Sequence, residues 1–457
     1  MVFEMFNSLP QHPSLTLCLI ALLLYGYLRL RRQGRGHTLY APTEEDIEKM
    51  EQIPDLKIFY PARHSERSEE SYEILRSARG LPQDDSNQPV DDSEIMVVLL
   101  NMGGPKNISE VRGFLKRIFC DELIIQFPFS SLLQPIFANG LVALRGKETE
   151  RRYGLIGGGS PILQSTMDQT KSVQRELNKR GRKCDVIFSF NYSNPFPDET
   201  ISQIKSAGKK YILPLSLYPH FSAATTGSNV YYLKKAAARL YPELVFLKSQ
   251  SYYLADSYID AFVDRIKETL NESGVSLRGG TFLSDDEAIY SEKIASSRLK
   301  NVGTRNDTNN LDDFYLLFSA HGLPLYFLAQ GDQYPFEIAQ SVAKILDKLG
   351  RRHAWVISYQ SAVGPMRWLK PSTEAMLKAL ARRGIKKLIV VPISFVTDHI
   401  ETLCEIDIEY RALAEGLGIK DFRMSKALES HPGFINALAD CVEESLGSIK
   451  RKETCQC

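Results

Sequence analysis

The feature that most constrains the fold of this chain is a repeated alternation of short apolar segments with amphipathic helical patterns. The apolar segments are rich in Val, Ile, Leu, Phe and Tyr, which is typical of strands. The predicted strands are IMVVLLN (95–101), CDVIFSF (184–190), KYILPLSLY (210–218), FYLLFSA (314–320), AWVISYQ (354–360) and KLIVVPISF (387–395). Continuously apolar strands that alternate with helices belong to parallel sheets covered on both faces, so we predict an α/β protein.

The alternation occurs twice, at roughly 95–245 and 312–445, which predicts two doubly wound α/β halves. Helical patterns lie between the strands, and three of them end at a glycine after basic residues, as helices commonly do. Those glycines are Gly181, Gly350 and Gly384. In such sheets ligands bind outside the carboxyl ends of the strands, often in a cleft between domains.

The remaining segments complete the predicted domain organisation. We expect an apolar N-terminal segment at 1–35, a polar disordered linker at 36–94, a first α/β domain at 95–245, a second at 246–445, and a tail at 446–457. The second domain carries a polar stretch at 271–310, which we interpret as a surface insertion, because long loops are rare inside compact domains.

The N-terminal segment contains one membrane-like stretch, PSLTLCLIALLLYGYL at 13–28. It carries no charge and is at the short limit of what spans a bilayer. Basic residues follow it rather than precede it, which argues against a cleaved signal peptide and would leave the rest of the chain cytoplasmic. A membrane anchor with a cytoplasmic protein, and a disordered or non-native leader, are both compatible with this pattern.

Charge and cysteine content exclude two classes of protein. The formal net charge is +1, which gives no electrostatic basis for binding nucleic acid. The cysteine count is odd and the spacing is scattered, so a secreted disulfide framework is not expected. The cysteines are Cys18, Cys120, Cys184, Cys404, Cys441, Cys455 and Cys457.

The segment LLFSAHGLP (316–324) places a histidine at the end of a predicted strand. Gly322 and Pro324 then turn the backbone away, so the imidazole of His321 should face the ligand-binding edge of the sheet. A hydrogen-bonded structural histidine is the alternative for this residue considered alone.

A second signal follows the strand at 387–395. Thr397 and Asp398 open a helical pattern with the spacing of a capping box. Asp398, Glu401, Glu405 and Glu409 recur at helical spacing on one face, and no basic residue lies between them to relieve their repulsion. Either this is an acidic solvent-exposed face, or it is a path that carries cations or protons to and from the cleft.

His399 and Glu401 should leave the sheet at the same level as His321. An imidazole and a carboxylate that meet at two strand ends can bind a divalent transition metal. They can also transfer protons, since burial can bring both pKa values toward neutrality. Two protein ligands make a weak metal site, which suits a metal that is passed on.

Loops and aromatic residues of the first half suggest the partner of this site. NMGGP (101–105) and IGGGSPI (156–162) resemble phosphate loops only superficially. SLYPHFSAATTGSN (216–229) has the small residues that let a large flat ligand approach the backbone. Aromatic residues near these turns indicate either packing or a pocket for an apolar planar substrate. They are Tyr153, Tyr192, Tyr218, Phe221 and Trp368.

Six segments in register resemble the ferrochelatase family. They are VVLLNMGGP, YGLIGGGSPI, LPLSLYPHFSAATTGS, LLFSAHGLP, YQSAVGPMRWLKPST and VVPISFVTDHIETLCEIDIEY, and the similarity runs from about 95 to 444. The resemblance implies two Rossmann-like domains with the active site in the cleft between them. It implies a lyase that inserts Fe²⁺ into protoporphyrin IX and forms protohaem with release of two protons, the last step of haem biosynthesis.

The resemblance also assigns roles to residues. It implies that His321 and Glu401 are the catalytic and metal-binding pair, with Asp398, His399, Glu405 and Glu409 as an acidic path. The positions expected to line the porphyrin or its propionates are Met102, Arg145, Tyr153, Tyr192 and Trp368. The family often has Arg directly before the residue that corresponds to Tyr192, and this chain has Asn191 at that position.

Some members of the family bind a [2Fe-2S] cluster through four cysteines. One of these lies in the loop before TTGS, where this chain has Ala223 and Ala224, and only Cys441, Cys455 and Cys457 remain near the C-terminus. The ligand set is incomplete, so we predict no cluster.

Three other functions are compatible with the same segments. Two are enzymatic, namely insertion of iron into coproporphyrin and cobalt chelation into a related tetrapyrrole. The third is a catalytically silent tetrapyrrole carrier at a membrane, which would not need the acidic path.

Overall fold

Every predicted apolar segment contains a strand of the computed structural model. The structure describes residues 90–124, 134–271, 314–351, 353–362 and 366–451, with the backbone alone at 448–451. The predicted membrane-like segment, most of the linker and the insertion beyond Asn271 lie outside these ranges. Among the described helices, none combines the length and apolar character needed to cross a bilayer.

The first half alternates strands and helices from β1 to β4. Its elements are β1 (Ile95–Asn101), α1 (Val111–Phe119), α2 (Gln134–Leu155), α3 (Ile162–Lys179), β2 (Asp185–Phe190), α4 (Pro197–Ser206), β3 (Tyr211–Ser216), α5 (Ser228–Leu240) and β4 (Val245–Phe246). A short π-helix, Ala223–Gly227, leads directly into α5.

The second half repeats this alternation. Its elements are α6 (Asp256–Asn271), β5 (Tyr315–His321), α7 (Leu325–Ala329), α8 (Tyr334–Lys348), β6 (Trp355–Gln360), α9 (Thr373–Arg382), β7 (Lys387–Val391), α10 (Arg411–Gly416), β8 (Asp421–Met424) and α11 (Pro432–Arg451). A ten-residue π-helix, Glu401–Tyr410, precedes α10.

The two sheets have the same topology. The strand order is β2-β1-β3-β4 in the first and β6-β5-β7-β8 in the second, and every pairing is parallel. The prediction of two parallel-sheet α/β halves is therefore confirmed. In each sheet the strand order reverses at the first strand of the half, so ligands are expected beside the carboxyl ends of β1 and β3, and of β5 and β7.

Alternate residues of the central strands face two different cores. On β1, Met96, Val98 and Leu100 pack with Ile201 of α4 and Leu233 of α5. The intervening residues of the same strand belong to the core that also contains Val173 and Leu177 of α3. Because side chains alternate along a strand, this packing covers both faces of the sheet and explains the continuously apolar sequence.

The predicted helix ends are also confirmed. Gly181, Gly350 and Gly384 all adopt positive φ, at 77°, 71° and 80°. This left-handed conformation costs glycine little and closes the helix end.

Two strands end earlier than predicted, 210–218 at Ser216 and 387–395 at Val391. Pro392, which directly follows the second of these strands, has no N–H to donate to a neighbouring strand. The Ile393 N–H still donates to the Ser319 carbonyl of β5 at 3.1 Å, and the loop that leads to Glu401 follows. This early end therefore brings the acidic segment to the carboxyl edge of the sheet.

The described residues of the two halves belong to one compact unit. Arg180, just after α3, pairs with Asp440 and Glu443 of α11 at 2.6 and 3.0 Å. The C-terminal helix thus packs against the first half and joins the two sheets.

Candidate active site at the carboxyl ends of the strands

His321 is the last residue of β5, and its backbone is fixed on both sides. Its N–H donates to Ser394 Oγ at 2.9 Å, and its carbonyl accepts a hydrogen bond from the Tyr334 hydroxyl at 3.0 Å. Gly322 then donates to the Gln360 carbonyl at 2.8 Å. These bonds hold the histidine at the point where the order of the second sheet reverses.

Glycine at position 322 is required by this close approach. A Cβ there would lie 2.7 Å from the Gln360 carbonyl oxygen and 3.2 Å from Cε3 of Trp368. Contacts as short as 2.7 Å are not found for real Cβ atoms, so any side chain would displace the backbone beside His321.

His321 and Glu401 form the centre of the site. Nδ1 of His321 lies 3.0 Å from Glu401 Oε2, and Nε2 of His399 lies 3.5 Å from the same oxygen. The ring of Phe395 lies beside both imidazoles, with centroids 6.2 and 4.5 Å away. Within the described part of the chain, neither Nε2 of His321 nor Oε1 of Glu401 has a hydrogen-bond partner, so each is open to a ligand.

His321 and Glu401 shift each other's pKa values. Burial by itself lowers the pKa of His321, but the negative charge of Glu401 overcomes burial and the pKa is raised above its ordinary value. For Glu401, burial acts to raise the pKa, and the charge and hydrogen bond of His321 bring it well below the ordinary range. The site therefore favours a carboxylate beside a readily protonated imidazole.

The acidic segment is a π-helix rather than the predicted capped α-helix. The helical turn begins at Ile400, which provides no side-chain cap, so the prediction of a capping box at Thr397 and Asp398 is wrong. The Asp398 carboxylate instead accepts a hydrogen bond from the Thr402 hydroxyl at 2.9 Å. π-Helices are rare and occur frequently at functional sites.

Glu405 and Glu409 of the π-helix have hydrogen-bond or ion-pair partners, most of them from other elements. Glu405 accepts hydrogen bonds from the N–H and hydroxyl of Ser361, at 2.9 and 2.7 Å, and from the Tyr410 hydroxyl at 2.8 Å. Glu409 pairs with Arg152 of α2, whose Nε lies 2.8 Å from Oε1. The repulsion that the sequence leaves uncompensated along the helix is thus relieved by tertiary contacts.

Asp398 lies before the π-helix and contacts a different carboxyl group. Its N–H donates to Glu429 Oε1 at 2.8 Å, and burial raises the pKa of both carboxyls. Glu429 itself adopts a left-handed conformation, with φ of 49°. Asp398, the neighbour of His399 in the chain, and Glu429 therefore both hold protons more readily than usual.

Aromatic residues of the first half lie close enough to Glu401 to sense its charge. Burial raises the pKa of Tyr153, at the end of α2, and of Tyr218, after β3, and the Glu401 carboxylate raises both further. Met102 immediately follows β1, and its carbonyl accepts a hydrogen bond from the Tyr192 N–H at 3.0 Å. The carboxyl edges of the two sheets therefore meet around Glu401.

The other predicted substrate-lining residues have varied surroundings. Trp368 forms a β-bridge with Pro324, in the turn after His321. Arg145 is exposed on α2. The Tyr192 hydroxyl donates a hydrogen bond to Asp121, which is 2% exposed. Asp121 also accepts hydrogen bonds from the hydroxyls of Tyr232 and Ser228. Asn191, in place of the family's arginine, donates to Ser228 Oγ at 3.1 Å.

Several residues around the site were not found from the sequence. Arg152 directly precedes the segment of the resemblance that begins at Tyr153, and Phe395 lies within another such segment, so both had a detectable signal. Ser361 and Ser394 also lie within segments of the resemblance, whereas Tyr334 gave no signal, because it contacts the site only through the folding of a distant segment. Among the described residues there is no cluster of three or more His, Cys, Asp or Glu side chains with the geometry to hold a metal.

The fold and this geometry define a two-domain α/β protein with a His–Glu pair at a sheet switch point. The family model for ferrochelatase matches residues 94–446. A ferrochelatase of Synechococcus elongatus is 38% identical over 354 residues, which cover 77% of this chain and 82% of the relative. A ferrochelatase of Gloeobacter violaceus is 36% identical over 363 residues, 79% of this chain and 100% of the relative. A solved structure, SirB from Bacillus subtilis with Fe³⁺, has a TM-score of 0.40 and 14% identity over 62% of this chain and 91% of its own.

The chain belongs to the ferrochelatase family. As a member it is a metal-inserting lyase of haem biosynthesis, which places Fe²⁺ in protoporphyrin IX and forms protohaem and two protons.

Proposed function

We propose that the chain performs this insertion at His321 and Glu401. The observation that supports the assignment is the single carboxylate oxygen, Glu401 Oε2, that lies 3.0 Å from Nδ1 of His321 and 3.5 Å from Nε2 of His399. This arrangement orients the His321 ring and leaves its other nitrogen open. An imidazole held by a carboxylate at one nitrogen is well placed to accept a proton at the other.

The two open atoms of the pair suit the two requirements of the reaction. Fe²⁺ must be delivered to the ring, and two pyrrole protons must be removed. In our proposal Nε2 of His321 accepts the two pyrrole protons one at a time and releases each to the acidic path before it accepts the next, and Oε1 of Glu401, a hard oxygen donor, contacts the incoming Fe²⁺. The Glu401 carboxylate also stabilises the imidazolium that forms, which is consistent with the raised pKa of His321.

The surrounding residues are proposed to bind the porphyrin and connect the site with solvent. Met102, Tyr153 and Trp368 lie at or beside the carboxyl edges and would contact the ring. Exposed Arg145 would reach a propionate, whereas Tyr192 would contribute its ring, because its hydroxyl is bound to Asp121. Asp398, His399, Glu405 and Glu409 form the acidic path, along which cations or protons would pass.

A fluorescence assay tests the assignment. Under anaerobic conditions wild-type protein should consume free protoporphyrin IX when Fe²⁺ is added, and H321A should not. Added imidazole should restore part of the activity of H321A, since it supplies the missing proton acceptor. The matched control is H431A, because the ring of His431 instead accepts the Gly433 N–H at 3.2 Å. Turnover by H321A close to that of wild type would refute the proposal.

The same assay with other substrates separates related functions. Coproporphyrin in place of protoporphyrin, and Co²⁺ in place of Fe²⁺, measure the preference of the site. A carrier without catalytic activity would bind porphyrin equally well after E401Q and would consume none in either form.

We further propose that the enzyme works without an iron–sulfur cluster. Ala223 occupies the loop where a ligand would be required, and Cys441 is buried on α11 with its thiol donating to the Gln250 carbonyl at 2.9 Å. Iron and acid-labile sulfide analysis of anaerobically purified protein should give no stoichiometric cluster, and an absorption spectrum with cluster bands would contradict the proposal.

We also propose that residues 13–28 attach the protein to the cytoplasmic face of a membrane. The support is the uncharged apolar sequence followed by basic residues. Fractionation of cells that express the full chain, compared with a form starting at Met96, should move the protein from the membrane to the soluble fraction. Equal distribution of the two forms would exclude an anchor.

A further inference from the structure

One buried carboxylate links the loop of the first half to the second half. Asp332 lies between α7 and α8 and is 5% exposed. Its Oδ2 accepts hydrogen bonds from the Ser222 hydroxyl at 2.8 Å and from the Ala223 N–H at 2.9 Å. Ser222 and Ala223 begin the short π-helix that continues into α5, so Asp332 binds the start of this helical segment.

The other oxygen of Asp332 is linked through Tyr334 to β5, the strand that ends at His321. Oδ1 accepts a hydrogen bond from the Tyr334 N–H at 3.0 Å, and the Tyr334 hydroxyl in turn donates to the His321 carbonyl at 3.0 Å. The ring of Tyr334 is buried, so it has little freedom to move between these two bonds. A continuous series of contacts therefore runs from Ser222 through Asp332 and Tyr334 to His321.

A second, partly buried carboxyl group binds the same loop but does not continue to the site. Glu337 of α8 accepts the Phe221 N–H at 2.6 Å, and burial raises the pKa of Glu337 to about 8. Asp332 and Glu337 thus hold adjacent residues of one loop, and only Asp332 is connected to Tyr334 and His321. This difference provides a matched pair for experiment.

We propose that Asp332 is a positioning residue for the insertion reaction, and that it fixes the His321 backbone, through Tyr334, relative to the Ser222–Ala223 segment. The proposal rests on His321 being the proton acceptor. Displacement of a reacting group by about 1 Å can cost roughly 100-fold in rate. If the second half, which carries His321, is not held against this loop, the enzyme should therefore react slowly even when both substrates are bound.

The acceptor pattern of Asp332 makes asparagine an informative replacement. Both carboxylate oxygens accept hydrogen bonds, whereas asparagine has one acceptor oxygen and an amide that only donates. In D332N the amide must face a donor, either the Tyr334 N–H or the Ser222–Ala223 pair. The series of contacts is broken at that point without a change in side-chain size.

The test is a double-mutant cycle on the full chain with D332N and Y334F. Each single variant should lower kcat roughly 10-fold, with the KM for Fe²⁺ unchanged, because the reacting group is displaced while metal access is intact. The double variant should be no slower than the slower single variant, since both changes break the same series of contacts between Ser222 and His321. Losses that multiply, or a kcat of D332N equal to that of wild type, would overturn the proposal.

E337Q is the control for loss of a carboxylate that contacts the same loop. Glutamine keeps an acceptor oxygen for the Phe221 N–H, and kcat should stay within about twofold of wild type. A loss in E337Q as large as that in D332N would show that any disturbance of the loop lowers activity, and would overturn the assignment to Asp332.

Two further measurements keep the test decisive. If D332N does not yield folded protein by circular dichroism, the cycle is run with S222A and Y334F, and multiplying losses there contradict the proposal equally. H321A, measured in parallel, separates this inference from the proposed function. An active H321A refutes the proposed function, whereas an inactive H321A with fully active D332N refutes only the role of Asp332.

Discussion

His321 and Glu401 meet at 3.0 Å although they are 80 positions apart in the chain. Each leaves the same edge of the second sheet, one at the end of β5 and the other after the loop that follows β7. The switch in strand order between β5 and β7 thus produces the pair, and the mutual electrostatic effect of the two groups can be measured directly.

Removing the Glu401 charge should lower the pKa of His321. In the wild type the pKa of His321 lies above the ordinary histidine value, because the Glu401 charge outweighs burial. In E401Q burial should dominate and the pKa should fall. An NMR titration of protein labelled at the histidine ring carbons measures it, with the His321 signal identified by its loss in H321A. A pKa that is unchanged or higher in E401Q would contradict the ion pair.

The sign of the stability change follows from the same two shifts. The raised pKa of His321 contributes stability below its unfolded value, and this contribution is lost as the pH rises through the folded value. The lowered pKa of Glu401 contributes stability above its unfolded value and loses it in acid. The pair should therefore stabilise most at mildly acidic pH, and chemical denaturation of wild type and E401Q across this range should differ most there.

Substitution of Tyr192 should reduce stability more than substrate affinity. Its hydroxyl is buried against Asp121, and loss of that hydrogen bond in Y192F should cost about 1–3 kcal/mol of unfolding free energy. The KM for porphyrin should change less than about threefold, since the ring is retained. Y232F, which removes a second hydroxyl from Asp121, is the matched comparison. A large rise in KM with unchanged stability would place the Tyr192 hydroxyl on the substrate.

Neutralising the end of the acidic path should weaken the use of iron. E409Q removes the carboxylate that Arg152 holds beside the π-helix, and the KM for Fe²⁺ should rise roughly threefold or more, because a negative path concentrates cations. The KM for porphyrin should not change. The control is D407N, since Asp407 lies on the same π-helix but pairs with Arg411. Equal effects of the two variants would show only a general charge effect.

The layout of the sheets could be predicted because it depends on local patterns. Continuous apolar runs indicated strands buried on both faces, and Gly181, Gly350 and Gly384 marked helix ends. The edge strands β4, which pairs with β3, and β8, which pairs with β7, were not predicted, since β4 is only two residues long and β8, Asp421–Met424, contains two charged residues. The early end of β7 was only partly detectable: Pro392 disfavours continuation of a central strand, yet Pro214 lies within β3, which is also central.

The site was predictable only in part, for a physical reason. Spacing placed Glu401, Glu405 and Glu409 on one helical face, and this alignment does not require a particular kind of helix. In the structure the carboxylates of this π-helix are satisfied by partners such as Ser361 and Arg152, which come from distant segments. Propensity within the segment contains no information about those partners, so the capped α-helix predicted there was wrong.

Replacement of Gly322 by alanine should test how tightly the end of β5 is packed. The added Cβ would lie 2.7 Å from the Gln360 carbonyl oxygen, so the backbone must shift, and overpacking of this kind costs about 1–3 kcal/mol. Because His321 is the neighbouring residue, kcat should also fall roughly 10-fold or more. G140A on the exposed face of α2 is the control: its Cβ would meet no atom within 4 Å, and helix propensity favours alanine. Thermal unfolding and the fluorescence assay give both quantities, and a G322A variant with the activity of G140A would show that the turn after His321 has room to adjust.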